Sequence, residues 1–461
     1  MRSLAGLDVG VLGLARSGLA AARLALARGA TVYASDAGDG PAAREAAERV
    51  RALGGEAETG GHDVGRLSRC DLVVLSPGIP PTAAVLRDPA IAHVPVIAEV
   101  ELAFGQLDAP VVGITGTNGK TTVTALVSHL LTEAGIDAPA GGNIGTALSE
   151  LALRDAPPQV AVVEVSSFQL AMTRDFAPTI GVLTNLAPDH LDWYPDVEAY
   201  YADKARLFRN ATPESRWVLN AEDRRAGELI GGAPGTRYHF RVDSLPESGE
   251  LGGFLATDGA LTLRLEGGKE RLVDAGELKV LGPHNVATAL AAAVAARLAG
   301  ADAESVRRGL RSFRAPPHRL EPVGEVDGVL WVNDSKATNI ASTRVAVRGM
   351  TRPTVLLLGG KHKGEPYTEL LPELGEGVRA VIADGEAAPL VEGDLRGHVP
   401  LERVDGPFEA VVARAREIAR PGDAVLLSPA CASFDMFRSY EERGKRFVEL
   451  VTRENDADHR A

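Results

Sequence analysis

The stretch from Val111 to Thr122, V-V-G-I-T-G-T-N-G-K-T-T, constrains this chain more than any other. An apolar, β-branched run breaks into glycine, threonine and asparagine. A lysine and two hydroxyl residues then open a segment with apolar side chains at Val123, Leu126, Val127, Leu130 and Leu131, the spacing of one helix face. The pattern predicts strand, anion-binding loop, helix. Gly116 and Gly119, with Thr117 and Asn118 between them, permit positive φ, so that successive N–H groups point at one anion. The helix start adds the positive end of its dipole. Lys120 reaches terminal phosphates as a point charge, and Thr121 or Thr122 offers a hydroxyl to Mg²⁺. A nucleoside triphosphate is the expected ligand, although the common pattern has a further glycine where this chain has Ile114.

The 461 residues suggest about three domains on the usual length per domain. A net charge of −13 argues against nucleic acid as the main partner, while leaving room for a local basic pocket. Cys70 and Cys431 are far apart and in no metal-like or redox spacing, which excludes a disulfide scaffold and suits a reducing compartment. The N-terminus lacks a signal-peptide core, and no apolar run approaches the ~18 to 20 residues that span a bilayer. The expectation is a cytoplasmic protein without membrane insertion.

Along the chain, residues 8–36 read as a βαβ opening that ends on Asp36. Its glycines, Gly10, Gly13 and Gly18, do not form G-x-G-x-x-G, which weakens a dinucleotide reading. Leu14, Ala15, Arg16 and Ser17 lie on the turn, where an anion could bind, and a further strand at 71–80 ends in a turn holding Gly78. Leu107 to Pro110 reads as a linker. After the phosphate loop, Gly141 to Gly145 reads as a second flexible loop centred on Asn143. The strand V-A-V-V-E-V-S-S then carries Glu164 toward Ser166; an acid in so apolar a strand needs a partner, and Mg²⁺ beside the phosphate loop would be one.

A strand ending at Asn185 delivers L-A-P-D-H-L-D, with His190 just past the strand end. Lys204, on the following helical segment, reads in isolation as a solvated charge. Residues 232–280 suggest a small β insertion with nothing chemical in it. Asn285 sits near the start of an alanine-rich helix, as a cap or a base contact. Arg314 to Arg319 reads as a second linker, stiffened by Pro316 and Pro317. A third α/β pattern follows, whose polar loops 334–339, 359–364 and 428–435 lie where strands end and make a ligand rim. The fold class is therefore α/β with three domains: a Rossmann-like one at 1–108, a central P-loop-type ATPase domain with a mostly parallel sheet at 109–315, and a C-terminal Rossmann-like one at 316–461. Lysines, hydroxyls and metal-ligand acids without a nucleophile triad suit activated-phosphate chemistry, and leave kinase, ligase and NTPase open.

In this order, G-T-N-G-K-T-T, G-N-I-G, E-V-S-S-F-Q-L, N-L-A-P-D-H-L-D, P-H-R-L-E, N-D-S-K-A-T-N and S-P-A-C-A-S-F-D-M-F resemble the Mur ligase family over essentially the whole chain. Within that family the start and the ending are most similar to those of the ligase that joins D-glutamate to UDP-N-acetylmuramoyl-L-alanine. The resemblance implies ATP-dependent amide formation through an acyl phosphate in peptidoglycan precursor synthesis, hence in cell-wall biogenesis and cell division, by a monomer. Lys120 and Thr121 would hold the phosphates and a first Mg²⁺, with Glu164 as a second ligand of that ion. His190 would ligate a second Mg²⁺, and Lys204 matches the family lysine that is carbamylated. Asn143 and Ser166 would touch the muramoyl group; Leu14, Ala15, Arg16, Ser17, Asp36 and Gly78 would receive the uridine diphosphate. Asn285 corresponds to the adenine-side asparagine, Arg319 to a phosphate contact and Asp334 to the ribose-binding acid. Lys336, Thr338, Lys363, Ser433 and Phe434 would frame D-glutamate, with Lys361 as a rival to Lys363. Ligases adding L-alanine and the folate-polyglutamate ligases share the ATP residues, and a nucleotide-binding dehydrogenase is the reading from another class.

Overall fold

The computed structural model describes residues 3–79, 83–190, 193–280 and 282–452. Three sheets organise them. The first is built by β1 (Asp8–Leu12), α1 (Arg16–Ala27), β2 (Thr31–Asp36), α2 (Pro41–Ala52), β3 (Glu56–Thr59), α3 (Val64–Leu67), β4 (Leu72–Leu75), β5 (Val96–Ala98) and α4 (Glu99–Phe104). Its strands are all parallel in the order β3-β2-β1-β4-β5. The order reverses at β1, so the loops after β1 and β4 flank a crevice at the strand C-termini, where open α/β sheets take ligands. Gly10, Gly13 and Gly18 serve packing here: a Cβ on Gly18 would lie 1.7 Å from the Gly13 carbonyl oxygen.

The central sheet follows: β6 (Val111–Thr115), α5 (Lys120–Glu133), β7 (Ala140–Gly142), α6 (Leu148–Ala152), β8 (Ala161–Glu164), α7 (Ser167–Ala171), β9 (Ile180–Leu183), α8 (Val197–Ala205), β10 (Arg216–Asn220), α9 (Arg224–Ile230) and β11 to β14 (Thr236–Arg241, Gly252–Leu255, Ala260–Leu265, Gly268–Asp274). Its order is β14-β13-β12-β11-β10-β9-β6-β8-β7, parallel throughout except for the pairings of β13 with β12 and with β14. β6 thus stands between β8 and β9, and the loops after all three converge. Every residue of β6, β8 and β9 is buried, which is why these strands read as unbroken apolar runs. Two expectations change. Gly141 and Gly142 belong to the edge strand β7 rather than to a flexible loop, and residues 236–274 extend the central sheet instead of forming a separate insertion.

After α10 (Pro283–Leu298) and α11 (Ala303–Ser312), the third sheet comprises β15 (Glu321–Val326), β16 (Val329–Asn333), α12 (Ile340–Arg348), β17 (Thr354–Gly359), β18 (Val378–Asp384), α13 (Ala388–Leu395), β19 (Leu401–Arg403), α14 (Phe408–Ile418), β20 (Ala424–Leu427) and α15 (Tyr440–Thr452). Its order is β15-β16-β20-β17-β18-β19, parallel except for the hairpin of β15 and β16. Packing divides the chain into two bodies, Met1–Ala275 with Thr288–Leu310, and Gly276–Ala287 with Arg311–Ala461. The first holds both N-terminal sheets and the second holds the third sheet. Among the described residues, no helix is long and apolar enough to cross a membrane.

Candidate active site

In the first sheet, Gly13 turns the chain at φ +83°, a conformation that glycine adopts without strain. Leu14 N–H then donates to Asp36 Oδ2 at 2.7 Å, and Gly38 N–H donates to Asp36 Oδ1 at 2.8 Å. Asp36 therefore ties the loops after β1 and β2 together through backbone groups. Ala15, Arg16 and Gly78 are exposed at this rim, whereas the side chains of Leu14 and Ser17 turn into the core. Leu14 can thus offer a ligand only its backbone.

The phosphate loop leaves β6 through Gly116, whose φ of +143° and close approach to Thr184 both demand glycine: a Cβ would lie 2.0 Å from Thr184 Oγ1. Gly119, at φ +80°, begins α5. The loop after β9 clamps this turn. Thr117 N–H donates to the Asn185 carbonyl (2.8 Å), Asn118 N–H to Asn185 Oδ1 (2.9 Å), and Thr184 Oγ1 to the Asn118 carbonyl (2.6 Å). Lys120 Nζ lies over the loop, donating to the carbonyls of Gly116 (2.9 Å) and Thr117 (2.7 Å). Of the two hydroxyl residues that follow, Thr122 is buried, while Thr121 Oγ1 donates to Glu164 Oε2 at 2.8 Å.

Glu164 ends β8 with 2% exposure, and its other oxygen accepts from Asn143 Nδ2 at 3.0 Å. Lys204, on α8, is 1% exposed; its Nζ donates to the Gly116 carbonyl at 2.6 Å and lies 4.4 Å from the Tyr200 ring centroid. Burial, reinforced by the charge of Lys120 and opposed by Asp189 and Glu164, holds the Lys204 amine well below the usual lysine range. The sequence reading of Lys204 as a solvated charge is thereby corrected. His190 sits at φ +56° with its ring 5.1 Å from that of Phe168 and its Nε2 3.7 Å from Asp189 Oδ2. Leu191 and Asp192 of the same motif lie outside the described residues. Ser166 spends its hydroxyl locally, capping α7 in a capping box with Gln169.

One body thus gathers Lys120, Thr121, Asn143, Glu164 and Lys204 around a single turn. The donor set fits a phosphate-bound Mg²⁺. Such an ion uses one or two carboxylates and takes its other ligands from phosphate and water, and a hydroxyl and a carboxylate already meet here. Among the described residues, no cluster of three or more His, Cys, Asp or Glu forms a self-sufficient metal cage.

In the second body Asn285 lies in the first turn of α10, inside the helix rather than at its cap. Asp334 ends β16 buried, accepting from Ser428 Oγ (2.8 Å) and Leu320 N–H (3.1 Å); burial raises its pKa to about 7, against the pull of these bonds and of Arg319. Lys336 Nζ lies 3.9 Å from the Tyr440 ring centroid. Lys363 Nζ donates to Thr338 Oγ1 at 3.3 Å, while Lys361 pairs its backbone with that of Ala432. Ser433 is buried and Phe434 is 69% exposed. The loops after β16, β17 and β20 are laced together: Ala430 N–H donates to the Ala337 carbonyl, and Gly359 N–H to the Pro429 carbonyl.

Three family models match in succession: a Mur ligase MurD-like N-terminal domain over residues 8–98, a Mur ligase middle domain over 114–296 and a Mur ligase glutamate ligase domain over 318–431. A UDP-N-acetylmuramoylalanine–D-glutamate ligase of Salinibacter ruber is 42% identical over 451 residues, covering 96% of each chain. A ligase of the same name from Anaeromyxobacter dehalogenans is 43% identical over 456 residues, covering 97% of this chain and 98% of its own. The chain belongs to the Mur ligase family. Solved structures share the ligase architecture at lower identity. A UDP-N-acetylmuramate-alanine ligase of Thermotoga maritima aligns with a TM-score of 0.60 at 18% identity over 97% of this chain and all of its own. A pseudomurein peptide ligase type C of Methanothermus fervidus aligns with 0.59 at 18% identity and the same coverage.

Sequence reasoning about this Mur ligase missed residues whose roles depend on distant partners. Thr184 and Asn185 hold the phosphate loop from the end of β9, the strand beside β6 in the sheet. Tyr200, Tyr194 and Phe168 wall His190 and Lys204 with rings. Tyr440 faces Lys336 across about a hundred residues of chain. Only the aromatic run Trp193, Tyr194, Tyr200, Tyr201 carried a visible signal.

Proposed function

We propose that this chain is the ATP-dependent ligase that joins D-glutamate to UDP-N-acetylmuramoyl-L-alanine in peptidoglycan precursor synthesis. The observation that carries this reading is 42% identity along 96% of both chains with a ligase of that name. The turn that gathers Lys120, Thr121, Glu164 and Lys204 supports it, because a loop of that composition suits a transferable phosphoryl group. The domain limits are 1–108, 109–315 and 316–461, within which the three matched segments fall. ATP and Mg²⁺ serve the ligases of this family.

In the proposed reaction a carboxylate oxygen of the muramoyl-alanine attacks the γ-phosphorus of ATP, and the bond to ADP breaks. The D-glutamate amine then attacks the acyl carbon, phosphate leaves and the amine gives up a proton. Lys120 and the backbone N–H groups of Gly116 to Gly119 hold the triphosphate; Asn285, Arg319 and Asp334 receive the rest of the nucleotide. Two Mg²⁺ ions, when bound at Thr121 with Glu164 and at His190 with a carbamylated Lys204, would offset the charge gathered there. Burial that holds the Lys204 amine well below the usual lysine range supports that modification, since the unprotonated amine is the form that adds carbon dioxide. Leu14, Ala15, Arg16, Ser17, Asp36 and Gly78 take the uridine diphosphate, and Asn143 and Ser166 take the sugar. Lys336, Thr338, Lys363, Ser433 and Phe434 frame D-glutamate, whose two carboxylates require cations and hydroxyls. The enzyme acts as a cytoplasmic monomer.

The test is an amino-acid panel with UDP-N-acetylmuramoyl-L-alanine, ATP and Mg²⁺, scored by phosphate release. Release with D-glutamate at least tenfold above every other amino acid is expected. Equal release with L-alanine or another amino acid overturns the choice of acceptor.

A further inference from the structure

Three loops of the third sheet carry the residues assigned above to D-glutamate, and backbone bonds join them in pairs. One buried side chain bonds all three at once. Arg443, on the first turn of α15, is 3% exposed. Its Nε donates to Ser335 Oγ at 3.0 Å and its Nη2 to the Ser335 carbonyl at 3.0 Å. Nη2 also reaches the Cys431 carbonyl at 3.1 Å, and Nη1 the Gly359 carbonyl at 3.4 Å. One guanidinium therefore bonds the loop after β16, the end of β17 and the loop after β20.

The surroundings are shaped to admit that group. A Cβ on Gly360 would lie 3.0 Å from Arg443 Nη1, so the turn after β17 approaches the guanidinium as closely as backbone can. The positive charge is offset by Asp384, buried at the end of β18, and by Asp435, whose Oδ2 accepts from Glu386 N–H at 3.1 Å. A planar fork with five donors can hold three carbonyls and a hydroxyl at once, which a lysine ammonium with three donors cannot reproduce in one plane. Asp334, assigned to the nucleotide, has anchors of its own in Ser428 and Leu320. Loss of Arg443 would therefore loosen the acceptor side of the rim, which keeps only its pairwise backbone bonds, and leave the nucleotide side held.

We propose that Arg443 is a positioning residue for the acceptor amino acid: it sets Lys336, Thr338, Lys363 and Ser433 in register by pinning their three loops, without touching substrate. The inference rests on the reading of the chain as a D-glutamate-adding ligase. The full-length enzyme and its Arg443→Lys and Arg443→Gln variants are compared in two assays. One is the KM for D-glutamate with the other substrates saturating. The other is formation of the acyl phosphate without D-glutamate, trapped by borohydride reduction to the alcohol. Arg443→Lys should raise the D-glutamate KM about tenfold and Arg443→Gln more, while trapped acyl phosphate stays within twofold of wild type. An unchanged KM in the variants overturns the proposal, as does a parallel fall in acyl phosphate, which would mark Arg443 as a support of the whole body. Should neither variant fold, Ser335→Ala removes one of the four bonds and should raise the same KM severalfold; no rise overturns the proposal. Failure of the wild-type enzyme to use D-glutamate would instead sink the functional reading.

Discussion

Buried ionisable groups are where this molecule departs furthest from ordinary solution behaviour. Asp334 shows it with a definite sign. Its folded pKa is raised to about 7 from 3.8, mainly by burial, so the folded carboxyl keeps its proton over a range in which the unfolded one has lost it. Stability then falls as pH rises from about 4 toward 7, and above 7 the cost is fully present. Asn at this position can still accept from Leu320 N–H through its carbonyl oxygen and donate from its amide to Ser428 Oγ. Asp334→Asn should therefore raise the thermal midpoint relative to wild type more at pH 8 than at pH 4.5, even as it impairs nucleotide use. Equal differences at the two pH values would contradict the raised pKa.

The elements most readable from sequence were those whose pattern is local. The strand, glycine turn and helix of 111–133 carry their own signal, because a buried parallel strand is continuously apolar and the helix face repeats every three to four residues. Lys204 was not legible: its burial comes from Gly116 and Tyr200, and nothing in its own neighbourhood separates it from a surface lysine. Gly141 and Gly142 misled in the opposite sense, since edge pairing with β8 makes a strand of residues that locally favour a loop. Arg443 was silent because its bonds run to Ser335 and Gly359, 108 and 84 residues away. Ser166 gives a test at this scale. Its capping box starts α7, so Ser166→Ala should lower stability by about 1 kcal/mol in urea denaturation. Ser166→Asp, which can still cap, should recover most of that loss.

At the scale of the molecule, two opening βαβ-type sheets could each have suggested a nucleotide, and a dehydrogenase was the rival class. The first sheet spends Gly10, Gly13 and Gly18 on packing and Asp36 on backbone N–H groups, whereas the central sheet aims a lysine, a hydroxyl and a carboxylate at one turn. ATP with Mg²⁺ should therefore raise the thermal midpoint by several degrees at concentrations far above its Kd, and NAD should not. Protection by NAD alone would revive the dehydrogenase.

The strand order of the central sheet also has a practical consequence. Five strands lie between β6 and the outermost strand β14, whose hairpin turn at Gly267 and Gly268 leaves open space where a side chain on either glycine would point. A fluorophore or affinity tag inserted at that turn sits at the far margin of the sheet that carries the phosphate loop. The hairpin is thus a natural handle for immobilising a working enzyme and counting its turnovers one molecule at a time.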